Sequence, residues 1–218
     1  VSVGFVITSA SLGYATFLLP LGVATDRFGE HRTLTVGLLG LAVGVGLVAA
    51  APSFPLVLVA AFLLGSCYGV ATPGTNKAVF DNVAPARQHR AIGIKQVGPT
   101  LGSAAGSVLV TGLVGAFFWQ MGFLVAAAVG VTVASGFYVA YTGGSTAETS
   151  YPDFRGLLAN RSYLFLVAAG LCLGAVFYTT TGYTVLYVEE STGAAVAVGG
   201  LVLAGLQVSS SAGRVVSG

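Results

Sequence analysis

Hydrophobic positions in this chain fall in long, nearly uninterrupted runs separated by short polar breaks. Seven runs reach or approach the 20 or so apolar residues that a helix needs to cross the hydrocarbon core. They cover 1–23, 33–51, 56–80, 91–115, 118–141, 163–188 and 194–217. The breaks carry helix-ending chemistry. Pro52-Ser53-Phe54-Pro55 brackets a tight turn with prolines, which suits a helix boundary. Trp119 stands near a run end, where an interfacial anchor belongs. The longest break, 142–161, is rich in Gly, Ser, Thr and charge. The pattern predicts an all-α, polytopic transmembrane bundle: one unit over 1–141, a linker over 142–161 and a second unit over 162–218.

Composition strengthens this reading. Of 218 residues, 55% are hydrophobic and 7% are charged, against about 25% charged in soluble domains. Mean hydropathy is +0.89. The 32 glycines have no collagen-like period and suit close helix approach in a bilayer. A net charge of +2 gives no reason to expect a nucleic-acid partner. Cys67 and Cys172 lie inside apolar runs and read as small packing residues, not a disulfide. The one Met is Met121, and residue 1 already lies inside an apolar run. The chain therefore reads as truncated at its N-terminus.

Placement of charge orients the bundle. Alternate connections fall on opposite faces of a membrane. One face receives Arg27, Arg32, Arg87, Arg90, Arg155 and Arg161, with Arg214 near it; the other receives Glu189 and Glu190 and no Lys or Arg. The positive-inside rule makes the Arg-bearing face cytoplasmic. A multi-pass protein of the cell membrane is expected.

The first polar break is Gly22-Val23-Ala24-Thr25-Asp26-Arg27-Phe28-Gly29-Glu30-His31-Arg32. It resembles the loop between helices 2 and 3 of the major facilitator superfamily, Gly-x-x-x-Asp-Arg-x-Gly-x-x-Arg. Gly22, Asp26, Arg27, Gly29 and Arg32 match, while Glu30 and His31 replace the usual basic pair. The resemblance implies a conformational latch between two six-helix halves. Asp26 would accept charge-assisted hydrogen bonds from a cation or a helix N-terminus; Arg27 and Arg32 would hold the loop at the anionic surface. It also numbers the runs as helices 2 to 8, with helix 1 and helices 9 to 12 lacking. Such halves are related by a repeat, so a second copy of the motif is expected to begin at Gly218.

A second region is similar to the helix 4 to helix 5 segment of permeases in this superfamily: Pro73-Gly74-Thr75-Asn76-Lys77, Asp81, then Arg87 to Gly102. Gly98-Pro99-Thr100-Leu101-Gly102 resembles part of the Gly-Pro motif of drug–proton antiporters, but the preceding glycine spacing is one residue too long. Gly98, Pro99, Gly102 and Gly106, with glycines every fourth residue, read as a helix-packing face.

Two cations lie within runs, Lys77 and Lys95. A charge at the bilayer centre costs about 2.5–3.5 kcal/mol on the insertion scale. Lys77 can pair with Asp81 four residues on. Alternatively Asn76, Lys77, Lys95 and Gln96 face a central cavity and favour an anion. The sixth run carries Tyr178, Thr179, Thr180, Thr181, Gly182 and Tyr183, polar for a lipid-facing helix, and Gly182 is a potential local break. In the family this helix lines the cavity, so Tyr178, Thr179, Thr180 and Tyr183 are candidate substrate contacts; interhelical bonding and an interfacial Tyr belt are the alternative.

No phosphate-cradling loop is present. His31 and His89 lie in predicted loops, and neither metal-ligand spacing nor a Ser–His–Asp arrangement appears. No cofactor, metal or enzymatic activity is expected. The resemblance implies a secondary active transporter of a small molecule or ion, working by alternating access, with an anion symporter preferred for Lys77 and Lys95 and a monomer expected. An exporter of hydrophobic compounds is the alternative within the superfamily. A membrane receptor on the same scaffold is the alternative outside it.

Overall fold

The structure is a computed structural model that describes residues 2–116, 118–143 and 154–217. All regular elements among them are helical. In chain order they are α1 (Ser2–Phe28), α2 (Glu30–Ala50), α3 (Phe54–Tyr68), α4 (Ala71–Asn82), α5 (Pro85–Ala116), α6 (Gln120–Ala140), α7 (Phe154–Ala159), α8 (Arg161–Thr192) and α9 (Val196–Ser217). The predicted linker contains α7; its residues 144–153, and the expected second motif copy at 218, lie outside the described residues.

Helix boundaries follow local chemistry. Between α1 and α2 there is one residue, Gly29, at φ 82. Its N–H donates to the Thr25 carbonyl at 3.0 Å, closing α1 with a left-handed residue that glycine adopts without strain. Pro85 opens α5, at a position where a missing N–H costs nothing. At the start of α8 the Asn160 side chain accepts from Ser162 N at 3.0 Å and Tyr163 N at 3.3 Å, a side-chain cap on two orphan donors. Gly193, at φ 67, ends that helix by donating to the Glu189 carbonyl.

α3 and α4 form one 29-residue span, Phe54–Asn82. The backbone stays right-handed at Gly69 and Val70, and bonds reaching back three residues tighten the turn there. Among the described residues six spans are long and apolar enough to cross a membrane: α1, α2, α3–α4, α6, α8 and α9. α5 supplies the seventh predicted run but is not in that set; its apolar stretch is diluted by Gln96, Pro99, Thr100, Ser103 and Ser107. At 32 residues it is long enough; Lys95, Gln96, Thr100 and Ser103 line a cavity, while Arg87 and Arg90 are exposed. α8 is an unbroken helix through Gly182, so the expected break there is absent. A Cβ on Gly182 would lie 2.6 Å from Ile7 Cδ1, the free end of an α1 side chain that can turn aside.

Helices meet where side chains are smallest. A Cβ at Gly13 would sit 2.1 Å from the Phe62 carbonyl oxygen, and one at Gly65 1.9 Å from that of Ala10. These contacts seat α1 on α3. Gly130 against Ala42 joins α6 to α2, and Gly200 against Thr111 joins α9 to α5. The predicted packing face on α5 differs: at Gly98, Gly102 and Gly106 an added Cβ would meet nothing within 4 Å. That face has no neighbour among the described residues, while Pro99 lines a cavity. The two cysteines are free, Cys67 half-buried and Cys172 exposed.

Candidate substrate cavity and the charged turn

Two adjoining hollows, about 790 and about 620 Å³, lie between α1, α3–α4, α5, α8 and α9. They share Ile7, Tyr14, Tyr68 and Tyr178. The rings of Tyr14 and Tyr68 are 5.6 Å apart, and Tyr14 Oη lies 3.4 Å from Thr72 Oγ1. Three phenols from three helices thus line one space, offering ring faces with polar tips. The larger hollow follows α8 through Gly170, Gly174, Thr179 and Tyr183. The smaller is more polar, with Thr75, Lys95, Gln96, Thr100, Ser103, Thr181 and Gln207.

Lys95 is the charged residue of this lining. Its ammonium donates to Asn76 Oδ1 on α4, a neutral partner that aims the head without cancelling its charge. Beside it α5 and α9 are joined by buried polar groups. Thr100 Oγ1 hydrogen-bonds Ser211 Oγ, and Gln207 Nε2 donates to Ser103 Oγ at 3.0 Å. Thr100, Gln207 and Ser211 are all buried, so leaving any of them unpaired would cost about 1–3 kcal/mol. The seam and the Thr111–Gly200 contact place α5 and α9 antiparallel along much of their length.

Of the sequence-predicted cavity residues, Lys95, Gln96, Tyr178, Thr179 and Tyr183 line the hollows. Asn76 stands behind Lys95 as its acceptor. Lys77 lies outside the lining and pairs with Asp81 at 3.1 Å, the i,i+4 alternative. Thr180 is exposed and outside both hollows, because its position on α8 turns it away from the face that carries Tyr178 and Thr181. Sequence reasoning missed Tyr14, Tyr68, Thr72, Thr75, Thr100, Ser103 and Gln207. Gln207, a lone amide in an apolar run, was the legible signal.

α1 and α8 come together at the ends remote from the Arg27–Arg32 turn. There a Cβ on Gly4 would lie 2.7 Å from Tyr183 Oη. Both residues also line the larger hollow, which continues between the two helices towards the turn.

The turn itself is built in two parts. Gly29 makes the reversal. Asp26, Arg27 and Arg32 are exposed, with Arg27 Cζ 5.4 Å from the Phe28 ring centre. Among the described residues the Asp26 side chain has no ion pair or hydrogen bond. Gly22 faces α4, where a Cβ would lie 3.9 Å from Pro73 Cβ, an ordinary contact. The other part is Glu30, where the family loop is basic. It is fully buried at the first position of α2. Tyr141 Oη donates to Glu30 Oε1 at 3.0 Å, and Asn82 Nδ2 donates to Tyr141 Oη at 3.2 Å. Glu30 Oε2 has no partner. Burial, then the Glu30 carboxylate, push the Tyr141 phenol up to about 12. His31 stacks on Tyr138 at 5.4 Å and reaches its carbonyl with Nε2 at 3.1 Å.

A family profile described as Major Facilitator Superfamily matches residues 1–218. The chain belongs to the major facilitator superfamily. Similar superfamily proteins include the Hexuronate transporter of Bacillus subtilis, 32% identical over 128 residues, which is 59% of this chain and 30% of that protein. The Multidrug resistance protein B homolog of Mycobacterium tuberculosis is 28% identical over 156 residues, 72% of this chain and 29% of that protein. The Multidrug efflux pump LfrA of Mycolicibacterium smegmatis is 35% identical over 123 residues, 56% of this chain and 24% of that protein. The matched part spans under one third of each of these relatives. As in superfamily members generally, the protein is an integral, multi-pass membrane protein, and the turn, cavity and seam belong to a transporter scaffold.

Proposed function

We propose that the protein of which this chain is part is a secondary active transporter that carries a small anionic solute by alternating access. The observation that carries the anion is Lys95. It is the charged residue of the cavity lining, and its hydrogen-bond acceptor Asn76 is neutral. An ammonium held in a low-dielectric hollow attracts an anion far more strongly than it would in water. Gln96, Gln207, Thr75 and Ser103 add hydrogen-bonding groups around it. A hexuronate, the class named for one relative, joins a carboxylate to a hydroxylated ring and fits this description.

In this reading the Arg-bearing face is cytoplasmic, the central loop 142–161 joins two bundles, and the ends of α1 and α8 near Gly4 and Tyr183 face outwards. The latch residues Asp26, Arg27 and Arg32 would engage when the inner side closes.

The Tyr14, Tyr68 and Tyr178 cluster favours a second reading, export of an aromatic or hydrophobic compound. Uptake into proteoliposomes containing the full-length protein separates the two. Lys95→Ala is expected to abolish transport of a sugar acid while leaving efflux of a neutral aromatic dye intact. Sugar-acid uptake unchanged by Lys95→Ala would refute the anion assignment.

A further inference from the structure

A third hollow, about 510 Å³, lies apart from the cavity, between α1 and α2 and against α3. Along α1 it is walled by Phe17, Leu21, Ala24 and Phe28, which share one helix face. On α2 it is walled by Val36, and Arg32 stands at its mouth. From Phe28 to Phe17 the wall extends about 16 Å at 1.5 Å per residue. One leaflet of a hydrocarbon core about 30 Å thick is about 15 Å deep. The groove therefore runs the depth of one leaflet, and its charged end is at the surface.

The chemistry of that end is cationic. Arg32 is the charged residue of the lining and is exposed. Arg27 rests on the ring of Phe28, which forms the wall beside it. The nearby carboxylate of Glu30 is turned into the protein and held by Tyr141. Asp26 is exposed on the turn and does not line the groove. A helix seated in the groove would lay apolar side chains over Arg32 and would have to supply a carboxylate to meet it. A phospholipid brings an acyl chain and a phosphate in the required order.

We propose that this groove binds one acyl chain of an anionic glycerophospholipid from the adjacent leaflet, with the headgroup on Arg32. The binding stands on the groove alone; resting on the latch reading proposed above, a lipid held at Arg32 would also bias which side of the transporter is open.

The test is native mass spectrometry of the full-length protein released from detergent, with phosphatidylglycerol and phosphatidylcholine of identical acyl chains as competing probes. The wild type should retain phosphatidylglycerol in preference. Arg32→Gln should cut that retention about fivefold, as expected for one cation near an anionic headgroup, and leave phosphatidylcholine unchanged. Arg32→Lys should restore it. Ala24→Trp should displace both lipids, with Val36→Trp as the second filling variant should Ala24→Trp not fold. Equal retention of the two lipids by the wild type, or no change in Arg32→Gln, overturns the proposal. So does efficient cross-linking of a Val36→Cys variant to another segment of the same chain, which would show that protein fills the groove.

Discussion

Replacing Tyr141 with Phe isolates one interaction: the hydroxyl that donates to buried Glu30 at 3.0 Å. Glu30 is 0% exposed and its second oxygen already lacks a partner. Its position at the start of α2 supplies about 0.3–1 kcal/mol from the helix dipole, and this remains in the variant. What is lost is a hydrogen bond to a charged acceptor, about 1.5–3 kcal/mol. The Asn82 amide that donates to Tyr141 lies at an exposed position and can turn to water, adding little. At about 2–4 °C per kcal/mol for a unit of this size, the melting temperature in detergent should fall by roughly 4–10 °C. In a Glu30→Gln background the same change removes a bond to a neutral acceptor, about 0.5–1.5 kcal/mol, so the double-mutant cycle should show coupling of about 1 kcal/mol or more. The pH dependence has a definite sign. A phenol raised from 10.0 to about 12 keeps its folded-state advantage at every pH below about 10 and loses it as pH climbs from 10 towards 12. The gap between wild type and Tyr141→Phe should therefore be flat through neutral pH and narrow only above about pH 10. A shift under about 1 °C, or equal shifts in the Glu and Gln backgrounds, would refute the account.

Further expectations follow from the packing. Gly65→Ala should abolish the yield of monodisperse protein on size exclusion, since its Cβ would lie 1.9 Å from the Ala10 carbonyl oxygen; Gly102→Ala, with nothing within 4 Å, should leave the yield unchanged. Gln207→Leu removes one hydrogen bond to Ser103, which is exposed and can turn to water, and should cost only about 0.5–1.5 kcal/mol, read as a slightly lower melting temperature. Cysteines at Thr100 and Ser211, whose hydroxyls hydrogen-bond each other, should cross-link under mild oxidation and arrest transport, with activity returning on reduction.

The helices were legible because they follow from run length and hydropathy, and the turn because Gly22, Asp26, Arg27, Gly29 and Arg32 match the motif. The site was legible where chemistry stands out against an apolar background: Lys95, Gln96 and the tyrosines of α8. It was illegible where the outcome depends on which way a helix faces. Tyr14 and Tyr68 look like ordinary apolar-run aromatics until α1 and α3 are packed. Lys77 and Lys95 are alike in sequence, yet one points at Asp81 and the other into the cavity. Glu30 stood out in the sequence only as a departure from the usual basic pair of the motif. It is buried because Gly29 reverses the chain in a single residue, turning position 30 inwards against α6, while Asp26 and Arg32 stay outside.

That division within one turn bears on how such a latch can work. Glu30 and His31 tie the start of α2 to the end of α6 through Tyr141 and Tyr138, anchoring one flank within its own bundle. Asp26, Arg27 and Arg32 stay exposed on the other flank. A latch needs both: a rigid base, so that partner exchange moves whole helices, and an uncommitted charged face to make the exchange. The seam of buried Thr100, Gln207 and Ser211 with exposed Ser103 occupies the opposite side of the balance. It must open if α5 and α9 part, exposing polar groups to the cavity, where water or substrate can replace the lost partners. Under the proposed alternating-access reading, the polar groups of α5 would let the two helices separate at small cost. A Leu at Gln207 would remove the hydrogen bond to Ser103 from the closed seam and offer no polar group to the open one, so under the proposed mechanism it should weaken the seam and speed its opening.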